Sequence, residues 1–234
     1  MTRTLPTLVL LPGMDGTGIL FRPFLQALAV DLPVKVVAYP VDKPMGYDEL
    51  GEFVLNALPA EGPVVLLGES FSGPIAAALA VRLGDRVRGL ILCCTFMSNP
   101  RPALGPLLPF AGLLPFAALP VGLTARPLLG SFVTPALKSL LAEALALVSS
   151  AVLRARLKSV VTVDATEALA AVKVPALYLQ ASSDALVPTS AVRQAQKACP
   201  AMTVQVIHGP HCLLQVAPAD AAAAVCAFVR EVDA

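Results

Sequence analysis

Ser70 has the surroundings of a nucleophilic serine. It follows the apolar run 64–67 and precedes the alanine-rich pattern 75–83, a strand–turn–helix arrangement. The motif reads Gly68-Glu69-Ser70-Phe71-Ser72. A serine exposed on a sharp turn above a sheet needs small residues two positions before and after it. Gly68 and Ser72 meet that demand, although glycine is commoner at the second position. An ordinary strand–helix turn is the alternative.

Two histidines could serve as the base that such a serine needs. An activated serine requires a base within hydrogen-bond reach and a third group that orients the base. His208 and His211 are the only histidines in the sequence. His211 follows a Gly-Pro pair in a loop that leads into a helix pattern, where an imidazole can reach the strand ends. His208 ends a predicted strand and is expected to pack or hydrogen-bond locally. We favour His211.

Asp184 is the favoured orienting acid. It comes shortly after the apolar run 176–179 and before His211. Asp164 is a weaker rival, because no strand-like run precedes it. A turn or helix-N-terminal aspartate is the structural alternative for Asp184.

The first predicted strand is followed by a glycine-rich loop, Leu11-Pro12-Gly13-Met14-Asp15-Gly16-Thr17-Gly18. During acyl transfer the carbonyl oxygen becomes negatively charged, and each N–H group that points at this oxyanion stabilises it by roughly 3–4 kcal/mol. We predict the backbone N–H groups of Met14 and Phe71 as the two donors. The loop matches neither a Walker A motif nor a dinucleotide-binding fingerprint, so phosphate binding is the weaker interpretation.

Short apolar runs alternate with helix patterns along most of the chain. Consecutive apolar residues are typical of strands covered on both faces. The predicted strands are 7–11, 34–38, 64–67, 90–94, 176–179 and 203–207. The predicted helices between and after them are 20–28, 47–58, 75–83, 189–198 and 219–232. This alternation predicts the α/β class, with a doubly wound, mostly parallel sheet of about six strands. Ligands are expected at the carboxyl ends of the strands.

Residues 98–164 interrupt the alternation and are predicted to form an inserted helical cap, leaving 1–97 and 165–234 as the core. The segment is apolar and, over 99–130, rich in proline. One explanation for its apolar composition is that it buries a small core of its own. The other is that it lines an acyl pocket or contacts lipid. Arg154, Arg156 and Lys158 cluster within it. They predict either a solvated helix face or a docking site for an acidic carrier protein or a membrane surface.

Composition excludes several classes of protein. The 234 residues are 56% apolar and 14% charged, with a net charge of +1, so nothing indicates a nucleic-acid partner. Five cysteines without a C-x-x-C pair argue against a disulfide framework or a zinc site, and Cys93 and Cys94 are expected to be buried thiols. The apolar run 8–11 is too short for a signal-peptide core, and no stretch of ~20 residues is free of proline and charge. A cytoplasmic protein is expected.

The sequence resembles the α/β-hydrolase superfamily over nearly its full length. The Leu11-Pro12-Gly13 loop corresponds to the family's oxyanion segment, and Ser70, Asp184 and His211 match its nucleophile, acid and base in the family's chain order. The two glycine-containing motifs are similar to those of small bacterial esterases and the plant phytyl ester synthase group. The resemblance places the insertion where the family carries its lid. It also implies that the chain begins at the family's third strand, without the leading antiparallel strands.

The predicted activity is hydrolysis of carboxylic esters with an apolar acyl group of short to medium length, through an acyl-enzyme. No metal or cofactor is expected. Three alternatives stay open: an acyltransferase, a carrier-protein-dependent esterase like the carrier-protein methyl ester esterases, and a ligand-binding relative without turnover. A dehalogenase is excluded, because that reaction needs aspartate where this sequence has Ser70.

Overall fold

A computed structural model describes residues 5–103 and 121–233. Its strands are β1 (Thr7–Leu11), β2 (Val34–Val36), β3 (Val64–Glu69), β4 (Val87–Cys93), β5 (Ala176–Ala181) and β6 (Thr203–Ile207). Its helices before the insertion are α1 (Arg22–Ala27), α2 (Tyr47–Ala57) and α3 (Gly73–Leu83). Those inside it are α4 (Val121–Leu129), α5 (Pro135–Ala146) and α6 (Ser150–Thr162). Those after it are α7 (Thr166–Ala170), α8 (Thr189–Ala198), α9 (Leu213–Val216) and α10 (Pro218–Asp233).

The six strands form one parallel sheet in the order β2-β1-β3-β4-β5-β6. The predicted fold class is confirmed. The strand order reverses beside β1, so the chain leaves β1 and β3 toward different sides of the sheet. A crevice between the carboxyl ends of two such strands is the usual ligand position in doubly wound folds. The Met14 loop follows β1 and Ser70 follows β3, which places both at this crevice.

Alternate residues of the central strands face two separate cores. Val9 of β1 and Leu66 of β3 pack with α2, α3, α7 and α8 on one face. Leu10 and Leu67 pack with α1, α9 and α10 on the other. Every residue of β3 is buried, as expected for a strand covered on both faces.

Strands β6, β2 and β4 depart from the predicted pattern. Most of β6 is not buried, and the side chain of Val206 is 61% exposed, because β6 pairs only with β5 and forms one edge of the sheet. At the other edge, β2 ends at Val36, two residues earlier than predicted. Strand β4 begins at Val87, three residues earlier than predicted, because the exposed Arg88 hides the start of its apolar run.

Over residues 121–162 the inserted segment consists of helices α4, α5 and α6 with short connections, and backbone hydrogen bonds join it to the part of the chain that bears the sheet. The N–H of Cys212 donates to the Leu128 carbonyl at 3.0 Å, and that of Ser149 donates to the Val41 carbonyl at 2.9 Å. The predicted proline-rich stretch lies, over 104–120, outside the described residues. The division into a core and a cap stays a prediction.

Cys93 and Cys94 are buried free thiols, as predicted. Among the described residues, no single helix has the length and apolar composition of a membrane span. Helices α5 and α6 meet those criteria only as a pair bent by 99°.

Candidate active site

The turn after β3 holds Ser70 in a strained conformation. Its φ is 49°, in the left-handed region that side chains other than glycine rarely adopt. The turn is crowded: a Cβ on Gly68 would lie 2.6 Å from the Ser72 carbonyl oxygen, and one on Gly73 would lie 2.1 Å from Thr95 Oγ1. The Thr95 hydroxyl donates to the Ser70 carbonyl. Surrounding contacts therefore maintain the strained turn, and its small residues are a steric requirement.

Ser70, His211 and Asp184 form a continuous chain of hydrogen bonds. Ser70 Oγ lies 2.8 Å from His211 Nε2, and His211 Nδ1 lies 2.9 and 3.0 Å from the two carboxylate oxygens of Asp184. The N–H groups of Leu186 and Val187 both donate to Asp184 Oδ1 at 2.8 Å. A carboxylate held in this way keeps the proton of His211 on Nδ1 and leaves Nε2 free to accept from Ser70.

The two rival residues lie elsewhere. His208 is exposed, with Nδ1 3.2 Å from Ser182 Oγ and its ring in edge contact with Phe132. Asp164 is exposed and accepts from the Thr166 N–H at 3.0 Å. Of the histidines and acids weighed from the sequence, the structure brings His211 and Asp184 to Ser70.

The glycine-rich loop lies against the Ser70 turn. A Cβ on Gly13 would be 3.8 Å from that of Ser70, and Met14 and Phe71 line the same cavity as Ser70. Ser72 joins the two segments: its fully buried hydroxyl donates to the Pro12 carbonyl and accepts from Tyr39 OH at 2.6 Å. The serine that replaces the commoner glycine therefore fastens the predicted oxyanion loop to the predicted nucleophile turn.

The prediction of a surface cluster at Arg154, Arg156 and Lys158 is wrong for Arg156. Arg156 is 1% exposed, and its guanidinium donates to three backbone carbonyls of the interior. Its position could have been inferred from helical spacing, because it lies four residues from the buried Val152 and Val160. Docking of an acidic carrier protein or a membrane surface stays a prediction, without Arg156 as a contact.

Two buried carboxyl groups flank the site, and the sequence analysis missed both. Glu69 is 4% exposed and accepts from Gln215 Nε2 at 2.9 Å; burial is the main cause that raises the pKa of Glu69 to about 7. Asp15 is 6% exposed, and burial raises its pKa, against hydrogen bonds from Thr17. The sequence signal for Glu69 is its place inside the apolar strand-to-turn motif, where a charged side chain has no route to solvent.

Two apolar cavities meet at Ser70 and His211. One, of about 280 Å³, extends between helices α4, α5 and α6, where its wall includes Leu128, Leu141 and Leu153. The other, of about 210 Å³, is lined by Phe71, Phe96, Val160 and others. Met14, Leu157 and Leu186 border both. The site can therefore accept a molecule with an apolar group on each side of the reacting bond.

No cluster of three His, Cys, Asp or Glu side chains within residues 5–103 and 121–233 is placed to hold a metal ion.

The fold and this site define a class of protein. The sequence matches the alpha/beta hydrolase family over residues 8–225, and the chain belongs to that family.

The similarity to an individual curated protein covers less of the chain than the family match does. A stretch of 116 residues is 36% identical to the chloroplastic phytyl ester synthase 1 of Arabidopsis thaliana. The match covers 47% of this chain and 16% of that protein, so the chain spans about a sixth of the length of this curated relative.

Several solved structures have the same fold, and each match covers nearly all of this chain and of the other protein's chain. The enol-lactonase of Burkholderia xenovorans LB400 has a TM-score of 0.83 at 17% identity, with 97% of this chain and 92% of that chain covered. A hydrolase of Oleispira antarctica has a TM-score of 0.83 at 17% identity, with 96% and 91% covered. An esterase of Rhodococcus sp. ECU1013 has a TM-score of 0.79 at 21% identity, with 99% and 92% covered. At these identities the likeness concerns the fold.

Proposed function

We propose that the protein is a serine esterase that cleaves esters with an apolar acyl group through an acyl-enzyme. The observation that carries the proposal is the hydrogen-bonded chain from Asp184 through His211 to Ser70 at the junction of two apolar cavities. A serine, a base and an orienting acid in this arrangement perform acyl transfer on several unrelated folds. Family membership supports hydrolysis as the reaction class.

The mechanism assigns one task to each group. Ser70 Oγ attacks the ester carbonyl carbon as its proton passes to His211 Nε2. The bond to the alcohol oxygen then breaks, and the alcohol leaves with that proton. Water next attacks the acyl-serine and gives a proton to His211, which returns it to Ser70 as the acid departs. Asp184 stabilises the imidazolium that forms in each half.

The oxyanion of both tetrahedral intermediates is assigned to the N–H groups of Met14 and Phe71. Both residues border the cavity that contains Ser70. The residue before Met14 is Gly13, where a Cβ would lie 3.8 Å from that of Ser70, and a glycine there leaves room for a ligand atom near the backbone N–H groups. Neither the stabilisation of the oxyanion nor the proton transfers require a metal or cofactor. The cytoplasmic location stays a prediction.

The cavities indicate substrate size. Their volumes, about 280 and 210 Å³, are at or below the lower end of the ~300–1,000 Å³ usual for small-molecule sites. We therefore expect short- to medium-chain acyl groups, with the acyl group in one cavity and the alcohol in the other.

The test is hydrolysis of p-nitrophenyl esters from acetate to palmitate. We expect a rate maximum at one short or medium chain length, no turnover by Ser70→Ala, and a loss of at least ~10³-fold in His211→Gln. The matched control is His208→Gln, which should keep the wild-type rate. Activity that survives in Ser70→Ala, or an equal loss in both histidine variants, would contradict the assignment.

Acyl transfer to an alcohol is the second candidate. It is favoured by the second apolar cavity beside Ser70 and by the partial identity to a phytyl ester synthase. Both reactions share the acyl-enzyme and differ in whether water or an alcohol attacks it. Product analysis with p-nitrophenyl butyrate and a long-chain alcohol separates them: a transferase yields the alkyl butyrate, whereas a hydrolase yields butyrate alone. A complete absence of turnover and of reaction at Ser70 would favour a ligand-binding relative.

A further inference from the structure

The side chain of Arg156, on helix α6, extends into the interior of the protein beside the candidate active site. Arg156 Nη1 donates to the carbonyl oxygens of Met14 and Asp15 at 2.9 and 2.7 Å, and Nη2 donates to that of Pro40 at 2.9 Å. The guanidinium carbon lies 5.6 Å from the centre of the Tyr39 ring. Burial lowers the pKa of Arg156, but an arginine side chain stays charged in proteins. The interior thus holds a desolvated cation that binds mainly backbone.

Two of the three carbonyls belong to the loop that carries the Met14 N–H. Gly16 is shaped around the guanidinium: its φ is 71°, and a Cβ there would lie 2.4 Å from Arg156 Nη1. Upstream in the same loop, the Ser72 hydroxyl holds the Pro12 carbonyl. The peptide that contains the Met14 N–H therefore lies between two anchors, one from the Ser70 turn and one from helix α6.

The same helix forms part of the cavity walls. Leu153 and Leu157 of α6 line the larger cavity, and Leu157 and Val160 line the smaller one. Arg156 lines neither. The residues that line both cavities and the side chain that holds the Met14 loop therefore belong to one helix.

We propose that Arg156 is a positioning residue, which sets the Met14 N–H at the oxyanion position and couples that position to the placement of helix α6. This proposal rests on the proposed function, because it assigns the Met14 N–H to the oxyanion. Placing a charge in the interior costs several kcal/mol per ion, and an apolar residue of similar volume is often no less stable there. The geometry of the loop, which an apolar residue could not hold, accounts for a cation at this position.

The central experiment compares Arg156→Met and Arg156→Lys with Lys158→Met, an exposed cation on the same helix. With p-nitrophenyl butyrate, Arg156→Met should lower kcat by ~100-fold and change KM by less than ~3-fold, because a misplaced oxyanion donor affects the transition state more than the bound substrate. Arg156→Lys should recover part of kcat, since an ammonium can bind one or two carbonyls. Lys158→Met should match the wild type.

A pair of inhibitors separates positioning from a general structural role. An alkyl trifluoromethyl ketone forms an oxyanion on Ser70, whereas the corresponding alcohol has the same carbon skeleton and nearly the same size but cannot be attacked by Ser70 and forms none. In Arg156→Met the ketone should bind ~100-fold more weakly, and the alcohol should bind as it does to the wild type. An equal loss for both inhibitors, or a kcat that falls no further than in Lys158→Met, would overturn the proposal.

Two further measurements keep the test decisive. If Arg156→Met does not fold, the two inhibitors are compared in Arg156→Lys, where a smaller loss for the ketone alone is expected. If the wild type hydrolyses no ester, the proposed function fails; the rate at which a fluorophosphonate reacts with Ser70 then tests Arg156 by itself. Equal labelling rates in the wild type and Arg156→Met would overturn the positioning role. A wild type that does not react at all would overturn both proposals.

Discussion

The buried carboxyl group of Glu69 should make the free energy of unfolding depend on pH. Its pKa is about 7 in the folded protein against 4.5 for the ordinary side chain, and burial is the largest cause. The folded state therefore binds more protons than the unfolded state between pH 4.5 and 7. Stability from this group is fully present below pH 4.5 and is lost as the pH rises through 7. This difference between the folded and unfolded pKa of Glu69 corresponds to about 3 kcal/mol in the free energy of unfolding.

The substitution Glu69→Gln isolates that contribution. An amide has nearly the same shape and cannot ionise. Gln215 Oε1 is buried and has no hydrogen-bond partner among the described residues, so a glutamine at position 69 can also supply a donor to it. We expect the variant and the wild type to be about equally stable at pH 4.5. At pH 8 the variant should be more stable by up to about 3 kcal/mol.

Urea unfolding from pH 4.5 to 8.5 measures this difference, with Glu61→Gln as the control because Glu61 is exposed. The control should follow the wild-type curve at every pH. A Glu69→Gln difference that does not change with pH, or a variant that is less stable than the wild type at pH 8, would refute the reasoning from burial.

Three other substitutions test single contacts. Tyr47→Phe removes a buried hydroxyl that has no partner in the described part of the chain and keeps the ring stacked on Phe71, with the ring centres 4.7 Å apart. Urea unfolding should show a free energy of unfolding that is unchanged or higher by ~1 kcal/mol, and a clear loss would contradict this. Thr95→Val leaves the Ser70 carbonyl without its donor and should lower stability by ~1–3 kcal/mol in the same assay, whereas a neutral result would mean that another group holds the turn. Asp184→Asn should lower kcat on p-nitrophenyl butyrate by ~10³–10⁴-fold, and Asp164→Asn should leave it unchanged; similar values for the two would count against the assigned acid.

Much of the fold could be predicted from local pattern. The strands β1, β3 and β5 read as short apolar runs because both of their faces are covered, and the helices between them keep helical periodicity. The pattern predicted the bounds of β6 but not the exposure of most of its residues, which depends on its place at the edge of the sheet and which local sequence does not encode. The start of β4 was missed because Arg88 interrupts its apolar run.

The candidate site shows a similar division. Ser70, His211 and Asp184 could be proposed from motif context and chain order, and the structure brings their side chains into hydrogen-bond contact. Arg156 could not be placed from motif context, because three basic residues within five positions of a helix pattern predict a solvated face; only its spacing from Val152 and Val160 indicated an inward position. Its burial depends on carbonyl groups from a loop 142 residues away in sequence, which become its partners only when the chain folds.

The inserted segment begins and ends at one place, since Ser98 and Asp164 pair as an isolated antiparallel bridge. A segment whose two ends already meet can be exchanged, lengthened or shortened without moving β4 or β5, and longer versions cost little additional closure entropy. The predicted cap could therefore be replaced as a single block of sequence. On the role proposed for Arg156, a replacement block would have to bring a guanidinium to the same carbonyls to keep the Met14 N–H in position.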